Sequence, residues 1–141
     1  MTAETFKSST TERLLAAAGI VSAVGGAAFV TFFNPTTAGF YPVCPLFQTT
    51  GFACPGCGLT RGFHALFHGE VLTAIGFNAM LPLWAFIFSY LFFAMFVIAV
   101  RGRAPKLEVF KPQYIWGFFI LALVFAVVRN LPYYPFTLLY P

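Results

Sequence analysis

The sequence predicts an all-α integral membrane protein with three transmembrane helices and a short interfacial amphipathic helix in the first loop. Of its 141 residues, 60% are hydrophobic and only 9% are charged, whereas soluble domains carry about 25% charged residues. The chain contains three long uncharged segments, which are bordered by Arg13, by Arg101, and by Lys111 and Arg129. So few charged residues cannot cover the surface of a globular protein in water. We therefore expect most of the protein surface to be in contact with lipid.

The three uncharged segments are the predicted spans of a single membrane domain. An S-x-x-E capping box precedes the first span and satisfies the first free amides of a helix. The third span is short, close to the minimum of about 17 residues for crossing a bilayer. The spans are residues 14–33, 80–100 and 112–128 of the domain 1–141, and the capping box runs from Ser9 to Glu12.

The distribution of basic residues predicts the orientation of the spans. Three spans place the chain ends on opposite sides of the membrane, with two basic residues on one side and six on the other. Under the positive-inside rule, the amino terminus is cytoplasmic, and the cysteine loop (residues 35–77) and the carboxyl terminus are extracytoplasmic. The net charge of +4 is spread over the chain, so no nucleic-acid partner is expected. The two groups are Arg61 and Arg129, against Lys7, Arg13, Arg101, Arg103, Lys106 and Lys111.

One face of the first span carries only small side chains. Ala18, Ser22 and Gly26 recur every four residues, so they share a helix face that another membrane helix can approach closely. The alternative is that alanine and glycine are simply frequent in membrane helices. We expect this face to be a helix-packing surface.

The cysteine loop contains the most informative motif of the chain. Cys44 precedes a Cys-Pro-Gly-Cys motif from Cys54 to Cys57, and a segment of helical periodicity follows, ending at Gly69. Apolar and polar residues of this segment fall on opposite stripes, which predicts an amphipathic helix on the outer leaflet. The stripes are Leu59, Phe63, Leu66 and Phe67 against Thr60, Arg61, His64 and His68.

These motifs resemble the small bacterial membrane proteins of the domain of unknown function 2752 family. The family pattern is Cys-Pro, Thr-Gly and Cys-Pro-x-Cys-Gly-x-Thr-Arg, followed by a glycine, an asparagine and an Arg-Asn. In this chain the pattern falls on Cys44-Pro45, Thr50-Gly51, Cys54 to Arg61, Gly69, Asn78 and Arg129-Asn130. The resemblance implies a multi-pass protein of the bacterial inner membrane and names no reaction. In place of the family's Asn-Pro, this chain has Asn78-Ala79 and a later Pro82.

The three cysteines allow four interpretations. An extracytoplasmic loop is oxidising, so Cys44 can pair with Cys54 or Cys57 in a structural disulfide. The C-x-x-C spacing before a helix also suits a redox thiol. Three thiolates can instead hold a metal ion with an outside ligand, although no metal or other cofactor is expected. Finally, the thiols can be buried and inert.

Five polar residues are expected to contact a lipid or a partner protein. Arg61 stands in apolar sequence, where an arginine needs a carboxylate, a carbonyl or a lipid phosphate. Glu70 is its nearest carboxylate, and Arg129 competes for it. His64 and His68 lie on the polar stripe, where solvation is the alternative to a proton-relay role.

The sequence contains no catalytic constellation and no charged residue in the middle of a predicted span. We therefore expect a protein that is not an enzyme and is an accessory subunit of a larger membrane complex, such as a respiratory-chain assembly. Its expected partners are lipids and other membrane proteins, in a hetero-complex rather than a homo-oligomer. The alternative is a membrane-anchored thiol-redox or metal-binding protein that uses the cysteine loop.

Overall fold

The computed structural model describes residues 8–103, 111–134 and 136–139. Within these residues the chain forms six α-helices, a turn of 3-10 helix and no β-strand, which confirms the all-α prediction. Two helices are long and apolar enough to cross a membrane, and a third is apolar but shorter. The helices are α1 (Thr10–Phe32), α2 (Pro45–Thr50), α3 (Leu59–Phe67), α4 (Val71–Phe77), α5 (Leu81–Arg101) and α6 (Pro112–Val128), and the 3-10 turn is Phe136–Leu139.

The ends of the long helices follow the capping signals in the sequence. The Glu12 amide donates to Ser9 Oγ at 3.2 Å, and the Ser9 amide donates to Glu12 Oε2 at 2.8 Å, so the predicted capping box is formed. Because this box starts the helix, α1 begins at Thr10, before the predicted residue 14. The ends of α5 differ from the second predicted span by one residue each, and α6 coincides with residues 112–128.

The cysteine loop contains three short helices, although the sequence predicted one. The predicted amphipathic helix is α3, which ends before Gly69 as expected. The two additional helices, α2 and α4, have six and seven residues, too few for a periodic hydrophobic pattern to identify them. Pro45 starts α2, and Gly51, with a φ of 74°, ends it.

The two long helices α1 and α5 pack against each other in opposite directions. At one end, Nε and Nη2 of Arg13 donate to the Ala99 carbonyl at 3.2 and 3.1 Å. Further along, a Cβ at Gly19 would lie 2.6 Å from Met95 Sδ, so the absence of a side chain permits this close approach. Ala16 is buried on the same helix.

The small-residue face predicted on α1 is exposed in this structure. Ala18, Ser22 and Gly26 are all solvent-accessible, and no atom lies within 4 Å of the place where a Cβ of Gly26 would be. The contact with α5 uses other residues of α1. The expectation that this face packs against another protein therefore stays a prediction.

A small core joins the short helices to the start of α5. Ala65 of α3, Ala74 of α4 and Leu81 of α5 are buried together. Gly62 lets α3 approach α4, since a Cβ there would lie 3.1 Å from the Ala74 carbonyl oxygen. This packing fixes the position of α3, and hence of the Cys-Pro-Gly-Cys segment that precedes it.

Candidate functional site

Three polar side chains hold the backbone of the Cys-Pro-Gly-Cys segment. Asn78 lies between α4 and α5, and Arg129 and Asn130 follow α6. All three side chains donate hydrogen bonds to carbonyl groups between Ala53 and Cys57. We call Asn78, Arg129 and Asn130 the polar clamp. It joins the cysteine segment to the ends of two apolar helices that are distant in sequence.

Asn130 binds the residue before the first cysteine of the motif. Its Oδ1 accepts a hydrogen bond from the Ala53 amide at 2.8 Å, and its Nδ2 donates to the Ala53 carbonyl at 2.8 Å. Nδ2 also donates to the Ala126 carbonyl in the last turn of α6, at 2.7 Å. Ala53 itself is buried. This pairing therefore satisfies both buried backbone groups of Ala53 and fixes its distance from α6.

Arg129 lies in the interior of the protein. Its side chain is 0% exposed, and Nη1 donates to the carbonyl oxygens of Cys54 and Cys57 at 2.9 and 3.2 Å. Its guanidinium carbon also lies 5.0 Å from the centre of the Phe125 ring, which is a cation–π distance. The sequence placed Arg129 among residues that contact a lipid or a partner. In the structure it contacts the cysteine segment, because carbonyl groups there partly replace its lost hydration.

Asn78 binds the other end of the same segment. It is 1% exposed, and its Nδ2 donates to the carbonyl oxygens of Pro55 and Cys57 at 2.9 and 3.1 Å. Its Oδ1 accepts a hydrogen bond from the Met80 amide at 2.8 Å, one residue before α5. Arg129 and Asn78 therefore share the Cys57 carbonyl as an acceptor.

The clamp places three thiols in one cluster. Cys54 lies in the middle, with its Sγ 3.4 Å from that of Cys44 and 3.3 Å from that of Cys57. All three Sγ atoms lie within 4.8 Å of one another. The cysteines are free thiols in this structure. A disulfide bond is about 2.05 Å long, so a shift of little more than an ångström would join Cys54 to either neighbour.

Cys44 and Cys57, the two thiols on either side of Cys54 in the cluster, have different pKa values because their surroundings differ. A hydrogen bond with the Phe47 backbone, at the start of α2, and one with the Cys54 side chain lower the pKa of Cys44 to about 7. Burial and hydrogen bonding to the neighbouring thiols raise the pKa of Cys57 to about 12. Near neutral pH, about half of the Cys44 thiols are therefore thiolate, whereas Cys57 stays protonated.

A cavity of about 650 Å³ opens beside these two thiols. Its lining includes Cys44, Cys57 and Arg61 and the segment that follows α1. Tyr41 holds that segment in place: its hydroxyl donates to the Phe33 carbonyl at 2.9 Å. The cavity is also lined by Pro35, Thr36, Pro42, Val43, Phe47, Gly56, Gly58 and Thr60. Small molecules thus have a path to the Cys44 thiol.

The remaining predicted contact residues lie on or next to α3. His64 is half-buried, with Nδ1 2.7 Å from the Val30 carbonyl oxygen at the end of α1. The His68 ring is exposed and lies against the His64 ring in a tilted arrangement, with the ring centres 4.4 Å apart. Glu70 is exposed as well. The guanidinium of Arg61 lies over the Phe77 ring, at 5.6 Å from its centre.

The part of the chain that forms this cluster has a recognisable family pattern. Residues 44–92 match DUF2752, described as a protein of unknown function. The match confirms the resemblance seen in the sequence, and it includes the three cysteines, Arg61 and Asn78. Arg129 and Asn130 lie outside the matched residues. No curated protein and no solved structure matches the chain.

Sequence reasoning identified the thiols but not what holds them. The resemblance stated from the sequence included Asn78, Arg129 and Asn130, of which only Asn78 lies in the matched residues, and no role was assigned to them as a group. A signal was present: Arg129-Asn130 is a polar pair directly after an apolar helix, and such groups require partners. The partner was not identifiable because Ala53 and Asn130 are far apart in the chain.

Two chemistries are available to the cluster. Three thiolates this close can bind a soft metal ion such as Zn²⁺ or Cu⁺. Alternatively, thiols in contact can exchange disulfide bonds, since the attacking and resolving sulfurs are already adjacent. The second chemistry needs one accessible thiolate, and Cys44 provides it.

The separated pKa values predict different alkylation of the two outer thiols. Only a thiolate reacts with iodoacetamide, so we expect the alkylation rate of Cys44 to rise with a midpoint near pH 7 and to level off above it. The rate at Cys57 should stay low and still be rising at pH 10, because its pKa lies near 12. Mass spectrometry of peptides from the natively alkylated protein measures both rates. Equal profiles at the two sites would contradict the assignment of Cys44 as the thiolate.

Proposed function

We propose that this protein is a membrane-anchored thiol–disulfide exchange protein whose site is the three-cysteine cluster. The observation that carries the proposal is the series of contacting sulfurs, Cys44 to Cys54 to Cys57, that begins at an open cavity. The substrate class is a disulfide or dithiol on the extracytoplasmic side. This develops the alternative that the sequence left open.

In the first step, the Cys44 thiolate attacks one sulfur of a substrate disulfide. The substrate S–S bond breaks, a mixed disulfide forms on Cys44, and one substrate sulfur leaves as a thiolate that takes up a proton. In the second step, Cys54 attacks the Cys44 sulfur, at 3.4 Å. Its proton passes to the second substrate sulfur, which leaves as a thiol. Two protein thiols are oxidised and one substrate disulfide is reduced to two thiols.

Cys57 allows a second disulfide bond, Cys54–Cys57, to replace the Cys44–Cys54 bond. Its sulfur contacts that of Cys54, so it can attack a Cys44–Cys54 disulfide and leave Cys44 reduced. Its raised pKa makes it the least reactive thiol in the resting state. The disulfide can thus move to the Cys54–Cys57 pair and leave Cys44 reduced, without any oxidant beyond the first substrate.

The contacts favour exchange over a fixed structural disulfide. Cys54 is about equally distant from both other sulfurs, at 3.4 and 3.3 Å, so the geometry favours no single pair. A structural disulfide also requires no access to solvent, whereas Cys44 and Cys57 line an open cavity. A bound metal is the remaining alternative, and the exchange experiment below distinguishes it.

We further propose that α1, α5 and α6 all cross the bacterial inner membrane. The contacts around the cysteine segment support alternating helix directions. The carboxyl end of α1 contacts His64, the amino end of α5 follows Asn78, and the carboxyl end of α6 is followed by Asn130. At roughly 1.5 Å per residue, α6 is about 25 Å long, slightly less than the hydrocarbon thickness. With the positive-inside rule, this arrangement makes the cysteine cluster extracytoplasmic.

Fusions of green fluorescent protein distinguish three spans from two, because this reporter does not become fluorescent when exported unfolded. We expect an amino-terminal fusion to fluoresce and a fusion after residue 141 to be dark. Immunoblotting of both fusions controls for the amount of protein. Bright fluorescence from both fusions would mean that α6 does not cross, and would contradict the three-span proposal.

Exchange with hydroxyethyl disulfide tests the proposed function. We expect the reduced protein in neutral detergent to consume this disulfide and to form an internal Cys44–Cys54 bond. Cys44→Ser should lower the rate roughly tenfold or more, because the thiolate is lost. Cys54→Ser should stop the reaction at a mixed disulfide on Cys44, which mass spectrometry identifies by its added mass.

Cys57→Ser is the matched control, since it removes a thiol but leaves the attacking and resolving sulfurs in place. It should still form the Cys44–Cys54 bond. The metal content of the purified wild-type protein is measured in parallel. An unreactive wild-type protein, or one in which a bound metal ion protects the three thiols, would overturn the exchange proposal.

A further inference from the structure

The cavity beside the thiols also contains a positive charge. Arg61 lines it together with Cys44 and Cys57. Its guanidinium lies 5.6 Å from the centre of the Phe77 ring, and the side chain is only half-buried. A cation–π contact of this kind restrains the guanidinium but leaves its N–H groups available for an anion.

The chain offers Arg61 no carboxylate in the part that the structure describes. The sequence suggested Glu70, the one acidic residue between Glu12 and Glu108. Glu70 follows α3 and is exposed, and no ion pair joins it to Arg61. Glu12 lies in the first turn of α1, at the opposite end from the cysteine segment. The positive charge in the cavity is therefore not neutralised by a described acidic residue.

We propose that Arg61 makes the cavity selective for small disulfides and thiols that carry an anionic group near the sulfur. This inference rests on the proposed exchange function and names its substrate class. An arginine fork binds a carboxylate or phosphate through paired hydrogen bonds. The cavity, at about 650 Å³, has the size of small-molecule sites, which run from about 300 to 1,000 Å³.

The substrate is held with its anionic group on Arg61 and one sulfur at Cys44. The chemistry is the exchange already described: the Cys44 thiolate bonds to that sulfur, the substrate S–S bond breaks, and the leaving sulfur takes up a proton. Arg61 transfers no electron or proton. It raises the local concentration of anionic substrates and orients them toward the thiolate.

Three small disulfides of similar size test this selectivity. Dithiodipropionate is anionic, hydroxyethyl disulfide is neutral and cystamine is cationic. Each rate of reaction with the wild-type protein is divided by the rate with free cysteine, which corrects for intrinsic reactivity. We expect corrected rates in the order anionic, neutral, cationic. We also expect the anionic preference to weaken at high ionic strength, because salt screens partly exposed charges.

Arg61→Gln should lower the ratio of the anionic to the neutral rate by up to about fivefold, the upper end of what a partly exposed ion pair contributes. Each variant provides its own neutral reference, so the ratio does not depend on the amount of folded protein. The matched control is Arg101→Gln, which removes the same charge at the far end of α5. It should leave the ratio unchanged.

The outcomes separate this inference from the proposed function. If hydroxyethyl disulfide reacts but the ratio is the same in wild type and Arg61→Gln, the exchange function stands and the anionic selectivity is overturned. An equal loss of the ratio in Arg101→Gln would also overturn it, because net charge would then be the cause. If none of the three disulfides reacts with wild type, the exchange function itself fails.

Discussion

The structure depends on one constraint: the backbone from Ala53 to Cys57 is buried or half-buried without being helical, and its polar groups need partners. Arg129, Asn130 and Asn78 supply them, through hydrogen bonds of 2.8–3.2 Å to carbonyl groups and an amide. An unpaired buried polar group costs about 1–3 kcal/mol. The segment in turn offers acceptors to Asn78 and Arg129, which are buried, and to Asn130, which is half-buried, so the clamp and the segment depend on each other.

This mutual dependence explains how a small chain can build a site. Three apolar helices have few polar groups with which to position reactive side chains, and lipid-facing surfaces cannot do so. The clamp attaches the cysteine segment to the ends of α5 and α6, which are far apart in sequence. The thiols then differ because of their surroundings: both Cys44 and Cys57 line the cavity, but Cys44 lies at the start of α2 and is half-buried, whereas Cys57 is buried.

The fold was more predictable from the sequence than the site. Uncharged length and capping signals predicted α1, α3, α5 and α6, because these depend on local sequence. The short helices α2 and α4 are too short to show a periodic pattern of hydrophobic residues. The polar clamp could not be inferred because the residues that it joins are up to 77 positions apart in the sequence. The expectations of a non-catalytic accessory subunit of a larger assembly, such as a respiratory-chain complex, and of no enzyme activity stay predictions.

The central claim is that the polar clamp holds Cys54 against Cys44. The most direct measurement is the effective concentration of these two thiols, obtained from disulfide equilibria in a glutathione buffer in a Cys57→Ser background. Asn130→Ala should lower it roughly tenfold or more, which corresponds to about 1.4 kcal/mol of lost hydrogen bonding. Asn34→Ala, which removes an exposed side chain that accepts a hydrogen bond from the Thr36 amide, should leave it unchanged. Equal values in both variants and the parent would contradict the claim.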